Sequence, residues 1–194
     1  MNRFLLPLAA FFWFGAAHAA EVATPPSYPT NPELRAMFEG DQAARQVEEI
    51  DWTKLDADDA DDAARLKRAR TMLDASLLQS GDNYYHAAFI FQHGSEAKDF
   101  LLAHVLAVAA IKRGRQDGAW IAAATLDRYL QTIGQPQIFG TQYRCRDGKP
   151  WMDPYEADLI PDSTRAVVGV PVRADQEKHG QNICGHAPRN VTTK

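Results

Sequence analysis

The segment from Phe100 to Ile111 constrains the fold most, because it is apolar at every position except His104. An α-helix that is apolar on all sides lies at the centre of a protein rather than at its surface. Gly94 and Gly114 flank this segment and predict short turns into neighbouring helices. The pattern therefore favours a mainly α fold, an antiparallel helical bundle or a helical-hairpin array.

Apolar periodicity and capping residues predict the other helices. Asp82 and Asp117 are each expected to cap the N-terminus of a helix, and Gly134 is expected to end the last one in the left-handed conformation. His104 is expected to be a buried, neutral histidine that is hydrogen-bonded to a neighbour. The helices are predicted over residues 33–47, 60–79, 83–93, 95–113 and 117–134.

After Gly134 the character of the chain changes, since Pro136 cannot continue a helix and Gly140 permits a close backbone approach. The Asp147-Gly148 pair predicts the turn of a short β-hairpin. A further short helix is expected within 163–171. The expected fold thus ends in an irregular C-terminal segment that contains one hairpin.

The first residues carry one positive charge, at Arg3, then an apolar run and an Ala17-His18-Ala19 ending. This pattern predicts a signal peptide over 1–19, cut after Ala19, with an uncleaved membrane anchor as the alternative. The Pro-rich residues 20–32 are predicted to form a flexible tether.

The mature protein is expected to be periplasmic or secreted, with a single helical domain over 33–172. Removal of residues 1–19 takes away Arg3 and no acidic residue, so the formal charge changes from −4 to −5. This acidic balance argues against nucleic acid, and against anionic membrane, as a partner.

The chain has two cysteines, Cys145 and Cys184. In an oxidising compartment we expect them to form a disulfide, which stabilises the fold by roughly 4 kcal/mol for a loop of about 40 residues. Their spacing matches neither a C-x-x-C redox motif nor a zinc pattern. The irregular tail over 173–194 is therefore predicted to be tied back to the domain.

The sequence contains no metal-binding motif. The acidic run from Asp56 to Asp62 fails as an EF-hand loop, because its glycine and its final glutamate are missing, so we expect it to cap the following helix. His86 and His93 lie about 10 Å apart along a helix, which is long for joint ligation. Asp41 and Arg45 are interpreted as an exposed structural ion pair at helical spacing. No metal is predicted, and any cofactor is unknown.

The candidate functional region runs from Asp117 to Gln142. Helical spacing directs Asp127 toward the packed side of its helix, so its carboxylate needs a partner, either a buried cation or hydrogen-bond donors. Arg128 points about 100° away and cannot be that partner within the same helix. The amides of Gln137 and Gln142 are expected to satisfy the backbone of the loop that follows.

A set of motifs in fixed order resembles a known family. These motifs are Asp41-Gln42..Arg45, Gln92-His93, Leu126-Asp127-Arg128, Pro136-Gln137.Phe139-Gly140-Thr141-Gln142 and Arg165-Ala166..Gly169. Together they are similar to the bacterial family named domain of unknown function 6624, over roughly 31–172. The resemblance implies an exported protein and no established reaction.

Two hypotheses for the polar set follow. In the first, His93, Asp127, Arg128, Gln137 and Gln142 form a structural lock or a cleft that binds an unknown small molecule or protein. In the alternative, the protein is a periplasmic hydrolase in which His93 or His104 acts as general base with Asp127, and His104, Arg128, Gln137, Thr141 and Gln142 bind the substrate. Substrate, catalysis and oligomeric state stay open.

Overall fold

The computed structural model describes residues 28–45, 55–146 and 149–185. The predicted signal peptide, most of the predicted tether and the Asp147-Gly148 turn lie outside these ranges. Within them the chain forms seven α-helices and one two-stranded antiparallel sheet, which confirms the predicted fold class. The elements are α1 (Pro32–Arg45), α2 (Leu55–Asp74), α3 (Gly81–Phe91), α4 (Ala97–Lys112), α5 (Gly118–Thr132), β1 (Arg144–Arg146), β2 (Lys149–Trp151), α6 (Asp162–Val167) and α7 (Arg173–Gly185).

Helices α3, α4 and α5 pack side by side, with α4 in the middle, and α1 and α2 cover the other side of α3. The core is built from buried apolar side chains of α1 to α5, among them Leu34, Met72, Phe91, Leu106 and Ile121. Among the described helices, none is both long enough and apolar enough to cross a membrane.

Helix α4 is central but is not buried all round, as its composition led us to expect. Its inner face is buried, whereas Leu101, Val105 and Val108 are exposed, Val105 to 54%. His104 on this helix is half-buried rather than buried, and its Nδ1 lies 2.9 Å from the carbonyl oxygen of Ala122. The expected hydrogen bond of His104 is present. Among the described residues, however, no further element covers the outer face of α4.

Three predicted helix caps are wrong. The acidic run from Asp56 to Asp62 does not precede its helix but lies inside α2, which begins at Leu55. Ser80 caps α3, since its hydroxyl accepts a hydrogen bond from the amide of Asn83 at 3.0 Å, and Asp82 lies inside the first turn. Asp117 has helical backbone angles, φ −65° and ψ −9°, whereas a capping side chain needs an extended backbone. Its carboxylate instead pairs with Arg115 at 2.7 Å.

The C-terminal half contains the predicted hairpin, in which Cys145 of β1 faces Pro150 of β2. The predicted short helix is also confirmed, as α6. The tail from residue 173 is not irregular at first, because it forms α7 and packs against both strands. At Gly180 an added Cβ would lie 2.5 Å from the Cβ of Pro150, so α7 packs closely on β2. This contact stabilises α7, a mostly polar helix that apolar periodicity did not predict.

Candidate functional site

The carboxylate of Asp127 in α5 is completely buried, with 0% of its surface exposed. Its Oδ1 accepts hydrogen bonds from the amides of Ile138 and Phe139, at 2.8 and 3.0 Å. Its Oδ2 accepts from the amide and the hydroxyl of Thr141, at 2.9 and 2.8 Å. The predicted partner therefore exists, and it is a set of loop donors rather than a cation. Two carboxylate oxygens accept about four hydrogen bonds, so this carboxylate is saturated.

Gln137 fastens the same loop, residues 135–142, at a second point. Its buried side-chain amide donates to the carbonyl oxygen of Gln142 at 3.0 Å and accepts from the Gln142 amide at 2.9 Å. Its backbone amide donates to the carbonyl oxygen of Pro154 at 3.0 Å, and its carbonyl oxygen accepts from Glu156 at 2.9 Å. The expectation that amide side chains satisfy the loop backbone is confirmed.

Gln142 connects the loop with α5. Its Nε2 donates to the carbonyl oxygen of Ala124 and to the hydroxyl of Thr141, each at 3.1 Å. Its Oε1 accepts from the Nε of Arg128, also at 3.1 Å. We call Asp127, Gln137, Thr141 and Gln142 the Asp127 network.

The carbonyl groups of the same loop are held by Arg165 of α6, a role that the sequence reasoning did not assign. Its guanidinium is fully buried and donates to the carbonyl oxygens of Ile138, Phe139, Ala157 and Ile160. Asp127 therefore holds amides of the loop while Arg165 holds its carbonyls. Arg165 stands in the Arg165-Ala166..Gly169 motif, but nothing in a single sequence indicates its burial.

Gly140 makes the close approach that its position predicted. Its φ of +71° belongs to the left-handed region, and an added Cβ would lie 2.6 Å from the Nε2 of Gln176 and 2.7 Å from the hydroxyl oxygen of Tyr155. Gln176 of α7 donates from that Nε2 to the carbonyl oxygen of Phe139 at 2.6 Å. The loop is thus enclosed by α5, α6 and α7.

Arg128 points away from Asp127, as helical spacing predicted. Besides its bond to Gln142, its Nη1 donates to the carbonyl oxygen of Gln92 at 2.6 Å, and its guanidinium lies over the ring of Phe100. Burial lowers the pKa of Arg128, and the positive charge of Arg45 lowers it further. No carboxylate lies within ion-pair distance of Arg128 among the residues that the structure describes.

His93 follows α3 and lies beside Asp41 of α1, with its Nε2 3.5 Å from the Asp41 Oδ1. Burial lowers the pKa of His93 to about 4, helped by the charges of Arg45 and Arg128 and opposed by that of Asp62. The imidazole is therefore neutral at pH 7. The structure brings His93 to Asp41, and not into the set of donors around Asp127.

The Asp41–Arg45 ion pair is present, with 2.7 Å between Oδ1 and Nη1, but its interpretation as an exposed pair is wrong. Asp41 is only 1% exposed, because α1 packs this face against α3. Burial raises the pKa of Asp41, whereas the hydrogen bond from Gln42 and the positive charge of Arg45 lower it by less. Arg45 also pairs with Asp62 of α2 at 2.5 Å, and Asp62 pairs with Arg65 at 2.8 Å.

The sequence-predicted site residues thus fall into two neighbouring groups and one outlier. Asp127, Gln137, Thr141 and Gln142 form the closed network, and Gln142 links it through Arg128 to the region of His93 and Asp41. The outlier is His104, whose recorded contact is the Ala122 carbonyl. Within the described ranges, no group of three or more histidine, cysteine or acidic side chains could hold a metal ion.

Comparisons with known proteins add no relative. No protein-family model matches this chain, and neither a curated protein nor a solved structure is detectably similar to it. The resemblance to the uncharacterised family therefore stays a prediction.

Proposed function

We propose that this is an exported helical protein in which the Asp127 network is a structural lock and whose function is binding rather than hydrolysis. The observation that most supports this proposal is that the four hydrogen bonds accepted by the buried Asp127 carboxylate all come from residues 138–141. A lock needs this closed arrangement, because every donor of an enclosed loop must find an acceptor.

The hydrolase alternative has less support. A carboxylate that orients a catalytic histidine needs a free oxygen lone pair for the imidazole N–H, and the loop already occupies both oxygens of Asp127. His93 lies beside a different carboxylate, that of Asp41, and the Nδ1 of His104 lies at the Ala122 carbonyl. Neither pairing is the one that the alternative requires.

Export and the disulfide belong to the same proposal. The basic and apolar start of the chain with its Ala-His-Ala ending supports a cleaved signal peptide over 1–19. The disulfide between Cys145 and Cys184 is supported by the packing of β1 against α7, the two elements that carry these residues. Membership of the resembled family is proposed on the motif order alone.

The substitution Asp127→Asn tests the lock. One carboxylate oxygen becomes an NH₂ group that faces loop donors, so two of the four hydrogen bonds are lost and buried donors are left unpaired. Each unpaired buried group costs about 1–3 kcal/mol. We expect the melting temperature to fall by on the order of 10 °C.

The matched control is Asp117→Asn, at the exposed start of the same helix, which removes only a surface ion pair. Calorimetry of both variants decides the matter. A melting temperature of Asp127→Asn equal to that of the control contradicts the lock and favours a role in ligand binding or catalysis.

A further inference from the structure

A second polar group lies beside the lock and is not part of it. Helices α1, α2 and α5 and the end of α3 bring together the side chains that we call the His93 cluster, namely Asp41, Arg45, Asp62, Arg65, His93 and Arg128. Arg45, Arg65 and Arg128 all lie close enough to His93 to lower its pKa. The cluster is therefore one electrostatic unit.

The charges of this cluster do not balance among the described residues. Three guanidinium groups stand against two carboxylates, since His93 is neutral at pH 7. Arg45 and Arg65 share the two aspartates. Among the described residues, the partners of Arg128 are two oxygen atoms, of Gln92 and Gln142, and the ring of Phe100, and none of them carries a negative charge. A partly buried cation without a counter-ion costs free energy unless an anion approaches it.

Unsatisfied polar atoms lie in the same place. Among the residues that the structure describes, the buried Nε of Arg65 has no acceptor and the buried Nε2 of His93 has no aligned hydrogen bond. In folded proteins the large majority of such atoms have a partner. The cluster is still reachable from solvent, because the side chains of Arg45, His93 and Arg65 are 34%, 17% and 16% exposed.

We propose that the His93 cluster binds the oxyanion group of a small molecule, a carboxylate or a phosphate. Arg128 supplies the unbalanced positive charge, and Arg65 supplies a donor that has no acceptor among the described residues. Guanidinium is the side-chain group that suits both oxyanions. Asp41 and Asp62 position Arg45 and Arg65 by ion pairs. Three guanidinium groups repel a cation from the same place.

The site does not depend on the lock. Its residues lie on α1, α2, α5 and the end of α3, and the link between the two groups is the bond from Arg128 to Gln142. If the Asp127→Asn variant contradicts the lock, the proposal of an anion site is unaffected. If the anion titrations contradict the anion site, the proposal of the lock is unaffected.

The test is a titration of the mature protein at pH 7 with sodium phosphate, and separately with sodium acetate, each at constant ionic strength made up with sodium chloride. The readouts are the melting temperature and the NMR signals of the histidine rings. We expect a saturable rise in melting temperature and a shift of the His93 signals with at least one of the two anions. A bound anion also raises the pKa of His93, which is visible as a titration at higher pH.

The variant Arg65→Gln removes a donor and a charge from the site. We expect its dissociation constant to be at least about tenfold higher, the factor that corresponds to 1.4 kcal/mol. The matched control is Arg68→Gln on the same helix, because Arg68 is exposed and pairs with Glu33 outside the cluster. Arg68→Gln is expected to bind like the unmodified protein. If Arg65→Gln does not fold, Arg65→Lys keeps the charge and replaces the planar fork, and weaker binding is again expected.

Each result of the phosphate and acetate titrations has a distinct meaning for the proposed site. Saturation by phosphate alone assigns a phosphate ligand, and saturation by acetate as well assigns a site that accepts carboxylates. Responses that never saturate overturn the proposal. So does equal binding by the unmodified protein and Arg65→Gln, or by the unmodified protein and Arg65→Lys where that variant is used.

Discussion

At the scale of single residues, the loop over 135–142 is held by two opposite charges that do not touch each other. The Asp127 carboxylate accepts from loop amides, and the Arg165 guanidinium donates to loop carbonyls, each fully buried. The backbone between them acts as the common partner of both charges. This arrangement explains how the Asp127 carboxylate is buried with backbone donors rather than a cation as its partners among the described residues, whereas the Nε of Arg165 also lies 3.6 Å from a carboxylate oxygen of Asp162.

His93 predicts how stability depends on pH. Its pKa is about 4 in the folded protein and 6.5 in an unfolded chain, so the unfolded chain binds the proton first as the pH falls. The stabilising contribution of neutral His93 is complete above about pH 6.5 and is lost as the pH falls toward 4. Between pH 7 and pH 5 we expect a loss of about 2 kcal/mol.

Urea unfolding at pH 7 and pH 5 measures this loss, which His93→Gln should abolish. His179→Gln, a change of an exposed histidine, is the control and should keep the full loss. Burial lowers the pKa of His86 as well, and that contribution stays in both variants. An identical pH dependence of His93→Gln and the control contradicts the burial of a neutral His93.

At the scale of elements, the turn residues decide where the C-terminal segment can pack against α5. Gly134 and Gly140 both have left-handed backbone, with φ of +74° and +71°. Gly134 ends α5 in open space, whereas Gly140 is pressed against Gln176 and Tyr155. The two glycines therefore have the same backbone requirement and different surroundings.

The pair Gly140→Ala and Gly134→Ala separates backbone strain from packing. Gly134→Ala should cost about 1 kcal/mol, the cost of a left-handed non-glycine residue. Gly140→Ala should cost clearly more, because its new Cβ must displace side chains that lie 2.6–2.7 Å away. Chemical denaturation of both variants measures the difference. Equal losses would mean that the loop opens without cost.

The proposed disulfide joins a strand to a helix. Alkylation of the unfolded protein without reductant should label neither Cys145 nor Cys184, and labelling after reduction should reach both, as counted by mass spectrometry. Reduction should also lower the melting temperature, because the unfolded chain regains the freedom of a loop of about 40 residues. Label at both cysteines before reduction excludes the bond.

At the scale of the whole molecule, the proposed export means that the chain without residues 1–19 is the one that folds, and that it folds outside the cytoplasm. Expression of the full sequence in a Gram-negative host should deliver a periplasmic protein whose mass corresponds to a chain that starts at Ala20. The reason is the basic, apolar and small-residue order of residues 1–19. A chain of full mass in the membrane fraction contradicts cleavage and supports the anchor. A substitution of Ala19 by a bulky residue is the control, and it should block the cut.

Much of the fold was predictable because it depends on local patterns. Apolar periodicity and glycine spacing predicted the helices, and the Asp-Gly pair predicted the hairpin. The boundaries were less accurate, since Ser80 rather than Asp82 caps α3. Helix α7 was not predicted, because its stability comes from packing on the hairpin and on loop 135–142 rather than from its own sequence.

For the polar groups, helical spacing alone determined that Asp127 is buried and that Arg128 points elsewhere, because one turn of helix fixes both directions. Only the tertiary structure decided who their partners are. In the folded chain, Asp127 accepts hydrogen bonds from loop amides, and Arg165 donates hydrogen bonds to carbonyl groups of the same loop. His93 lies beside Asp41, which is on another helix. Contacts between residues far apart in the chain depend on how the elements pack, and no local pattern carries that information.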